Sequence, residues 1–336
     1  MYKSLIIGDP HFKVSNLDDC RSFCEQTLKI IADEKPHKVI LLGDLFNDFA
    51  VVRSEVLKLW SEFFHKASKR SLVICLVGNH DMAGADGGTY PMEPFKSITN
   101  VIIVDELRLI DGIYFIPFVR DNADFEKQVR AIPPDSVLFC HQSFNGAKFE
   151  TGFYDPHGAD PESVSHLAAV IPGHIHAEQK LLNIWYPGTP FQHTFSDAGV
   201  KKSIFMIDLS TTGYSIINDF QLDMPRFYEI RGDSIEEVKE KMLLIKDMDL
   251  DKGNFKIIAH APPSEIAGFW QEDMVKTFRS LARRVVDAMT SIKPLNDRTE
   301  VKGKTRKEQF DEYIKGKEWR TDGDRVARRA REFLTL

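Results

Sequence analysis

The chain has 336 residues, of which 43% are hydrophobic and 28% are charged. This composition is ordinary for a folded globular protein, and the length allows one large domain and a smaller one. The opening MYKSLIIGDPHF is too short an apolar run for a signal peptide, and no later segment approaches the length of a membrane span. The sequence therefore excludes an integral membrane protein and predicts a cytoplasmic location.

The net charge of −6 is unevenly distributed along the chain. Residues 279–336 carry 16 Lys and Arg against 10 Asp and Glu, a balance of +6, whereas residues 1–278 carry a net charge of −12. An acidic body argues against nonspecific nucleic-acid binding by bulk charge, although bound metal ions would reverse the sign locally.

Seven short apolar runs in the first two hundred residues have the character of buried strands. They are rich in β-branched residues and are bounded by Gly, Asp, Asn or Pro. Between them, Leu17 to Asp33 and Val51 to Ser68 have the apolar spacing of amphipathic helices. This alternation predicts an α/β layer structure with a parallel or mixed sheet. In chain order, the runs are YKSLII, KVILL, SLVICLV, NVIIV, YFIPF, SVLFC and AAVIPG.

The pattern changes in the last third of the chain, which predicts a second and smaller domain. Ser234 and Glu237 have the spacing of a capping box, and the strand-like FKIIAHAP follows. A helix is then expected from Pro263 to about Met289, and two short helices follow a polar linker. We therefore divide the chain into a main domain at residues 1–221, a small α+β domain at 222–292, and a linker with a helical tail at 293–336.

Five polar stretches each follow a predicted strand. In open α/β sheets, the loops beyond the carboxyl ends of the strands gather on one side, so distant residues can converge there. Carboxylate oxygens, imidazole nitrogens and one amide oxygen are the ligands of a binuclear Mn, Fe or Zn centre. Each stretch alone has an ordinary structural explanation, but independent explanations for all five would have to coincide. The stretches are GDPH with Asp9 and His11, GDLF with Asp44, GNHD with Asn79, His80 and Asp81, CHQ with His141, and GHIH with His174 and His176.

This ordered set resembles the signature of the calcineurin-like metallophosphoesterases, D-x-H, G-D, G-N-H-[DE], H and G-H-x-H. The downstream stretch YPGTPFQHTFSDAGVKKSIFMIDL is similar to the segment that closes the nuclease domain of SbcD-type double-strand-break repair nucleases. The compact length is typical of a phage-encoded recombination nuclease subunit, which would work in the bacterial host cytoplasm. The resemblance implies a four-layer sandwich of two mixed β-sheets flanked by helices, a DNA-capping α+β domain and a C-terminal helical tail that binds a partner.

Carried over residue by residue, the resemblance implies two metal sites that share Asp44 as a bridging ligand. Mixed nitrogen and oxygen ligands without sulfur suit Mn²⁺, with Mg²⁺ or Zn²⁺ as alternatives. We therefore expect Mn²⁺ dependence. The first ion would be held by Asp9, His11, Asp44 and His176. The second would be held by Asp44, Asn79, His141 and His174.

His80 has a different expected role, because Asn79 would face the metal and the adjacent side chain projects the other way. The family pattern makes this histidine a transition-state stabiliser or a general acid for the leaving 3′ oxygen. Asp81 either orients His80 or caps a helix, and the sequence leaves both roles open. Some family members have a second histidine after GDLF, and this chain departs from that pattern with Asn47.

The tail carries apolar residues at helical spacing beside Lys and Arg. Composition alone favours folding back on the body. The resemblance favours docking, because SbcD-type nucleases bind the coiled-coil base of an SMC-like ATPase, of the SbcC type, through a C-terminal helical segment. A homodimer formed through Val51 to Phe64 is a further expectation, and core packing explains the same residues equally well. The expected partner-binding residues are Phe310, Tyr313, Ile314, Val326, Ala330 and Phe333.

Together these features predict a Mn²⁺-dependent DNA nuclease subunit, a double-strand exonuclease and single-strand endonuclease that uses a water activated by two metals. We expect it to act with an SMC-like ATPase on duplex ends and single-stranded regions during DNA recombination, repair and end processing. The alternatives are a phosphomonoesterase or protein phosphatase on the same fold, or a catalytically inactive scaffold. Serine/threonine phosphatases usually show GD-x-x-D-R-G and GNHE, and GDLFNDFAVVR and GNHD match neither.

Overall fold

A computed structural model of the protein describes residues 2–47, 51–82, 88–245 and 249–291. Within this part of the chain, two six-stranded sheets form the body of the molecule. The first sheet contains β1 (Tyr2–Ile7), β2 (Lys38–Leu41), β3 (Leu72–Leu76), β4 (Val101–Val104), β11 (Ile204–Ser210) and β12 (Gly213–Phe220). The second contains β5 (Arg108–Ile110), β6 (Ile113–Ile116), β7 (Val137–His141), β8 (Ala169–Gly173), β9 (Gln179–Leu181) and β10 (Ile184–Tyr186).

Both sheets are mixed, and their central strands are parallel. The spatial order is β12-β11-β1-β2-β3-β4 in the first sheet and β5-β6-β7-β8-β10-β9 in the second. Strands β1 to β4 pair in parallel, as do β6, β7, β8 and β10. Antiparallel strands complete the edges of each sheet. The carboxyl ends of five parallel strands therefore deliver their loops to a common side.

Helices cover the outer faces of the two sheets and complete a four-layer sandwich. Helices α1 (Leu17–Glu34) and α2 (Ser54–Ala67) pack on the first sheet, and α3 (Asn122–Arg130) packs on the second. Between the sheets, side chains such as Ile40 and Ile171 form an apolar layer with no solvent exposure. The predicted four-layer fold is confirmed.

The predicted elements of the body agree closely with the structure. All seven apolar runs are strands, and α1 begins at the predicted Leu17. Helix α2 begins at Ser54, three residues after the predicted Val51. Its aromatic residues Trp60, Phe63 and Phe64 are buried in the core beside the first sheet, so core packing accounts for them. The homodimer remains a prediction.

Residues 226–291 form a smaller α+β unit, which we call the cap. Its three-stranded parallel sheet has the order β13-β14-β16, and its own apolar cluster includes the fully buried Phe255. Ser234 caps the first helix, because its hydroxyl accepts a hydrogen bond from the Glu237 amide at 3.2 Å. The elements are β13 (Arg226–Arg231), α4 (Ile235–Leu244), β14 (Gly253–Ile258), β15 (His260–Ala261), α5 (Pro263–Phe269), α6 (Asp273–Leu281), β16 (Arg284–Asp287) and β17 (Thr290–Ser291).

The single helix predicted from Pro263 to about Met289 is wrong. The structure has two short helices there, followed by strand β16. Helix α5 ends at Phe269, one residue after Gly268, and glycine weakens helices. Val285 and Val286 are β-branched and pair in parallel with β14, so the sheet takes residues that helical spacing alone assigned to a helix.

The predicted linker and tail lie outside the described residues, and so do all six expected partner-binding residues. The tail and the exact division into domains therefore stay predictions. Among the helices that the structure describes, none combines the length and the apolar character needed to cross a bilayer.

Candidate metal centre

The five polar stretches meet at one edge of the body. The loops after β1, β2 and β3 come from the first sheet, and those after β7 and β8 come from the second. His11, Asp44 and His174 have positive φ angles of 46°, 50° and 83°, a backbone region that non-glycine residues seldom adopt. Local strain of this kind persists only where surrounding structure enforces it, and it clusters at functional sites.

Gly78 allows the loops after β2 and β3 to approach each other closely. A Cβ atom at Gly78 would lie 2.2 Å from Asp44 Oδ1, which no side chain could tolerate. The next turn supplies a hydrogen bond, because the His80 amide donates to Asp44 Oδ1 at 2.8 Å. The Asp44 carboxylate is thus held in a fixed orientation at the centre of the site.

Asp44 belongs to two groups of side chains whose ligand atoms lie within 4.8 Å of one another. One group is Asp44 with His11 and His80, and the other is Asp44 with His141 and His174. Asp44 is the residue common to both groups, and its bridging role stays a prediction. The first group differs from the sequence-based set, because it contains His80 in place of Asp9 and His176.

Several hydrogen-bond acceptors converge beside Asn79. His141 Nδ1 donates to the Leu42 carbonyl at 2.7 Å, so in the neutral ring Nε2 carries a lone pair. That Nε2 lies 3.0 Å from Asn79 Oδ1 and 3.4 Å from Asp44 Oδ2. His174 Nδ1 is also 2.8 Å from Asn79 Oδ1. Acceptors at these distances repel one another unless a proton or a metal ion lies between them.

Asp9 and His176 stand next to this cluster. Asp9 Oδ1 accepts from the His174 amide at 3.0 Å, whereas Asp9 Oδ2 is buried without a hydrogen-bond partner among the described residues. His11 Nε2 and His176 Nε2 face each other at 3.1 Å. A buried, unpartnered carboxylate oxygen is costly, and an ion ligated at that position would satisfy it.

The electrostatics of the cluster favour cation binding. Although burial opposes the charged form, His141 and His11 hold the pKa of Asp44 well below its ordinary value. Burial lowers the pKa of His11 well below its ordinary value, and burial together with His141 lowers the pKa of His174 to about 4. Burial also acts to lower the pKa of His141, but Asp44 and Asp9 raise it to about 9. The site therefore holds the ionised Asp44 carboxylate, and the lowered pKa values keep His11 and His174 neutral, so both rings can offer a lone pair to a cation.

The donor set fits divalent metal ions on these observations. Carboxylate, amide and imidazole atoms are hard or borderline ligands of the kind that Mn²⁺, Fe²⁺ and Zn²⁺ accept. All four cysteines are buried and unpaired, and none belongs to either ligand group. The structure thus brings together all seven predicted ligands, and their individual roles stay predictions.

His80 belongs to one of the two ligand groups, and its ring lies 4.8 Å from that of His11 in an edge-to-face arrangement. Its Nδ1 donates to the Asn47 backbone carbonyl at 2.8 Å. The Asn47 backbone carbonyl therefore helps to orient the His80 ring.

Asp81 braces two of the ligand-bearing loops. Its carboxylate is fully buried and accepts from the Phe46 amide at 3.1 Å and from the Gly78 amide at 2.9 Å. Burial, with Asp44 nearby, raises the pKa of Asp81 to about 8. The residues that would follow a helix cap here, 83–87, lie outside the described part of the chain.

Two residues near the ligands were missed by the sequence analysis. Glu150 Oε1 lies 3.6 Å from His176 Nδ1, where a carboxylate can orient a metal-binding imidazole. The ring of His193 lies 5.6 Å from that of His11 in an edge-to-face arrangement, and its Nε2 lies 3.1 Å from the Asp9 carbonyl. Glu150 is in a loop without a recognisable motif. His193 is within the stretch YPGTPFQHTFSD, where its spacing gave no signal of its own.

A cleft of about 620 Å³ separates the body from the cap and borders the cluster at His193. Its lining includes four basic side chains, of Lys13, Lys256, Arg283 and Arg284, and one acidic side chain, of Asp19. Phe227 and Lys256 reach the cleft through the packing of the cap on the body.

The fold and the site together define a metal-dependent phosphoesterase of the α/β sandwich class. Residues 2–178 match the model of the family described as calcineurin-like phosphoesterase, which is more than half of the chain. The chain belongs to this family.

Two sequence relatives and one solved structure are among the proteins to which this chain is similar. A protein named as a phosphoesterase, 078R of Invertebrate iridescent virus 3, is 28% identical over 282 residues, covering 79% of this chain and 78% of the relative. Exonuclease subunit 1 of Enterobacteria phage T4 is 24% identical over 298 residues, covering 86% of this chain and 83% of that protein. The crystal structure of Pseudomonas putida nuclease MPE covers 60% of this chain and 84% of its own, with a TM-score of 0.28 and 14% identity.

Proposed function

We propose that this protein is a metal-dependent DNA nuclease of the SbcD type. The main support for the proposal is that two ligand groups share Asp44, and one of them contains His80. The cluster also adjoins a basic cleft. Metal ions bound at the cluster would promote cleavage of a phosphate ester. The basic cleft would bind a polyanion.

The seven predicted ligands divide into two sets around Asp44. Two divalent ions held there, most suitably Mn²⁺ with Mg²⁺ or Zn²⁺ as alternatives, would act as Lewis acids on a phosphate and lower the pKa of water. Asp9, His11, Asp44 and His176 would hold one ion. Asp44, Asn79, His141 and His174 would hold the other.

His80 is the residue that we assign to proton transfer. Its Nδ1 keeps a proton, because the Asn47 carbonyl can only accept. That hydrogen bond fixes the ring. In the doubly protonated imidazolium form, Nε2 would pass its proton to a leaving 3′ oxygen, and the neutral ring would keep its proton on Nδ1. Proton transfer by a positioned histidine typically contributes about 10²- to 10⁴-fold to a rate.

The cleft supports a polymeric substrate over a small monoester. Lys256 and Arg284 on the cap and Lys13 on the body line the same space, and DNA phosphates bind to such basic groups. Phe195 and Phe227 meet edge to face at 5.0 Å across the junction and also line the cleft. Similarity to an exonuclease subunit over 86% of the chain supports the same substrate class.

We further propose that the protein works with an SMC-like coiled-coil ATPase in DNA recombination and repair, as a phage-encoded subunit. The apolar stripes of the tail and the similarity to a protein named as a subunit support this partner. Deleting residues 296–336 should abolish ATPase association in a pull-down and spare basal nuclease activity. An intact complex after the deletion would contradict the partner assignment.

A substrate panel tests the nuclease proposal. Purified protein with Mn²⁺ is incubated with linear duplex DNA, single-stranded DNA and p-nitrophenyl phosphate, with chelator controls. We expect Mn²⁺-dependent degradation of both DNAs and little turnover of the monoester. Efficient monoester turnover with intact DNA would instead identify a phosphomonoesterase. Inertness toward all three substrates would identify a scaffold.

A further inference from the structure

His193 lies between the ligand cluster and the cleft, and it belongs to none of the five polar stretches. We propose that His193 is a positioning residue that holds Asp9 and His11 in the orientation needed to bind a metal ion. We further infer that a buried ion pair, Asp197 with Lys202, holds His193 itself. This inference rests on the metal site of the proposed function.

Contacts of the His193 ring reach three predicted ligands, namely Asp9, His11 and His176, whose ring centroid lies 5.9 Å away. Its Nε2 lies 3.1 Å from the Asp9 backbone carbonyl, and a carbonyl only accepts, so Nε2 carries the proton and donates it. The ring also packs edge to face against His11, with 5.6 Å between centroids. Phe191 supports the ring from another direction at 4.6 Å. His193 thus restrains the main chain at Asp9 and the side chain of His11.

Asp197 fixes the turn that carries His193. Its Oδ2 atom accepts from the amides of His193 at 2.9 Å and of Thr194 at 3.1 Å. The carboxylate is only 1% exposed. A buried carboxylate that accepts two amide hydrogen bonds holds its loop in one conformation.

Lys202 connects this turn to the opposite side of the site. Its Nζ lies 2.7 Å from Asp197 Oδ1 and donates to the His176 carbonyl at 2.7 Å. Because both charges are buried, removing either partner would leave the other uncompensated. The pair therefore ties the His193 turn to the loop that bears His176, so a single network orients ligands from both sheets.

Outer residues that orient metal ligands typically change metal affinity by about 10- to 100-fold when they are lost. A histidine elsewhere in the body offers a matched comparison. His166 Nε2 lies 3.2 Å from the Ile132 carbonyl, so it makes the same type of hydrogen bond, but it precedes the amino end of β8, opposite the carboxyl end that bears His174.

The test is a calorimetric titration with Mn²⁺ of the full chain and of His193→Ala, His193→Gln and His166→Ala. We expect His193→Ala to weaken binding of one ion by about 10- to 100-fold and His166→Ala to leave binding unchanged. His193→Gln should recover part of the affinity, because its amide can donate to the Asp9 carbonyl. DNA cleavage by His193→Ala should also recover at saturating Mn²⁺.

Unchanged Mn²⁺ affinity in His193→Ala would overturn the inference. Loss of one bound ion in both His193→Ala and His193→Gln would overturn it too, because His193 would then be a ligand. If His193→Ala fails to fold, His193→Gln still decides between these outcomes. A wild-type protein that binds Mn²⁺ but leaves DNA intact would defeat the nuclease proposal and leave the role of His193 standing.

Discussion

The body and the cap use the same structural unit, parallel strands joined through helices, but their strand ends differ. Eight non-glycine residues have a positive φ among the described residues, and all of them are in the body. Three of these are predicted ligands. Buried polar residues are also concentrated in the body. In the described part of the cap, Asn254 is the only buried polar residue.

This difference shows that the energetically unfavourable features of the fold lie in the body, which also holds the ligand cluster. Buried carboxylates and left-handed backbone destabilise a protein unless something compensates for them, and at the ligand cluster a metal pair would do so. The cap is stabilised by apolar packing around Phe255. It joins the body through few polar contacts, such as the Phe227 amide with Gln192 Oε1 at 2.6 Å and Arg283 with Asp19 at 2.8 Å.

The largest effect is expected from replacing Asp44, the residue common to both ligand groups. Asp44→Ala should lower DNA hydrolysis by more than the roughly 10²- to 10⁴-fold expected for one proton-transfer group, because both ligand groups lose a carboxylate. Cleavage assays and Mn²⁺ titration measure the effect. Asp124→Ala, at an exposed aspartate of α3, is the control. Full activity of Asp44→Ala would place the chemistry elsewhere.

Replacing His80 tests whether this residue transfers a proton or binds a metal ion. His80→Ala should lower kcat for DNA cleavage by about 10²- to 10⁴-fold, with the amount of bound Mn²⁺ unchanged. Single-turnover kinetics and metal analysis of the purified variant check both parts. Because His80 lies in a ligand group, loss of an ion in this variant would make it a ligand and disprove its assigned role.

Removing Asp81 tests the bracing of the loops in the body. Asp81→Ala leaves the buried Phe46 and Gly78 amides without their acceptor, at a cost of about 1–3 kcal/mol for each. Urea denaturation of the metal-free protein should show this loss of unfolding free energy. An unchanged midpoint would mean that water or a rearranged loop satisfies both amides.

The smallest effect is expected at the junction with the cap. Arg283→Gln breaks a partly exposed ion pair with Asp19, so stability should fall by less than about 1 kcal/mol. If Arg283 also contacts a DNA phosphate, the salt dependence of binding should decrease by about one unit of slope. Denaturation and DNA binding at several salt concentrations measure the two quantities. Global destabilisation would show that the cap is integral to the body.

Much of the body could be predicted from sequence, because its signals are local. A buried parallel strand is a continuous apolar run, and the polar residues after it stand out against that background. For this reason Asp9, Asn79 and His141 were predicted to converge, and the structure brings them together at one edge.

What sequence could not supply depends on contacts between distant segments. Val285 and Val286 lie in a segment that the sequence predicted to be helical. Their pairing with β14 makes them part of a strand. Glu150 and His193 approach the ligands through loops whose paths are set by tertiary packing. The cleft likewise exists only because the cap sits against the body.

We propose that two divalent ions share the Asp44 carboxylate, and an anomalous difference map from crystals grown with Mn²⁺ would locate them. We expect two peaks beside Asp44, one near His11 and His176 and the other near Asn79 and His174. A single peak away from Asp44, or no peak at this edge of the body, would contradict it.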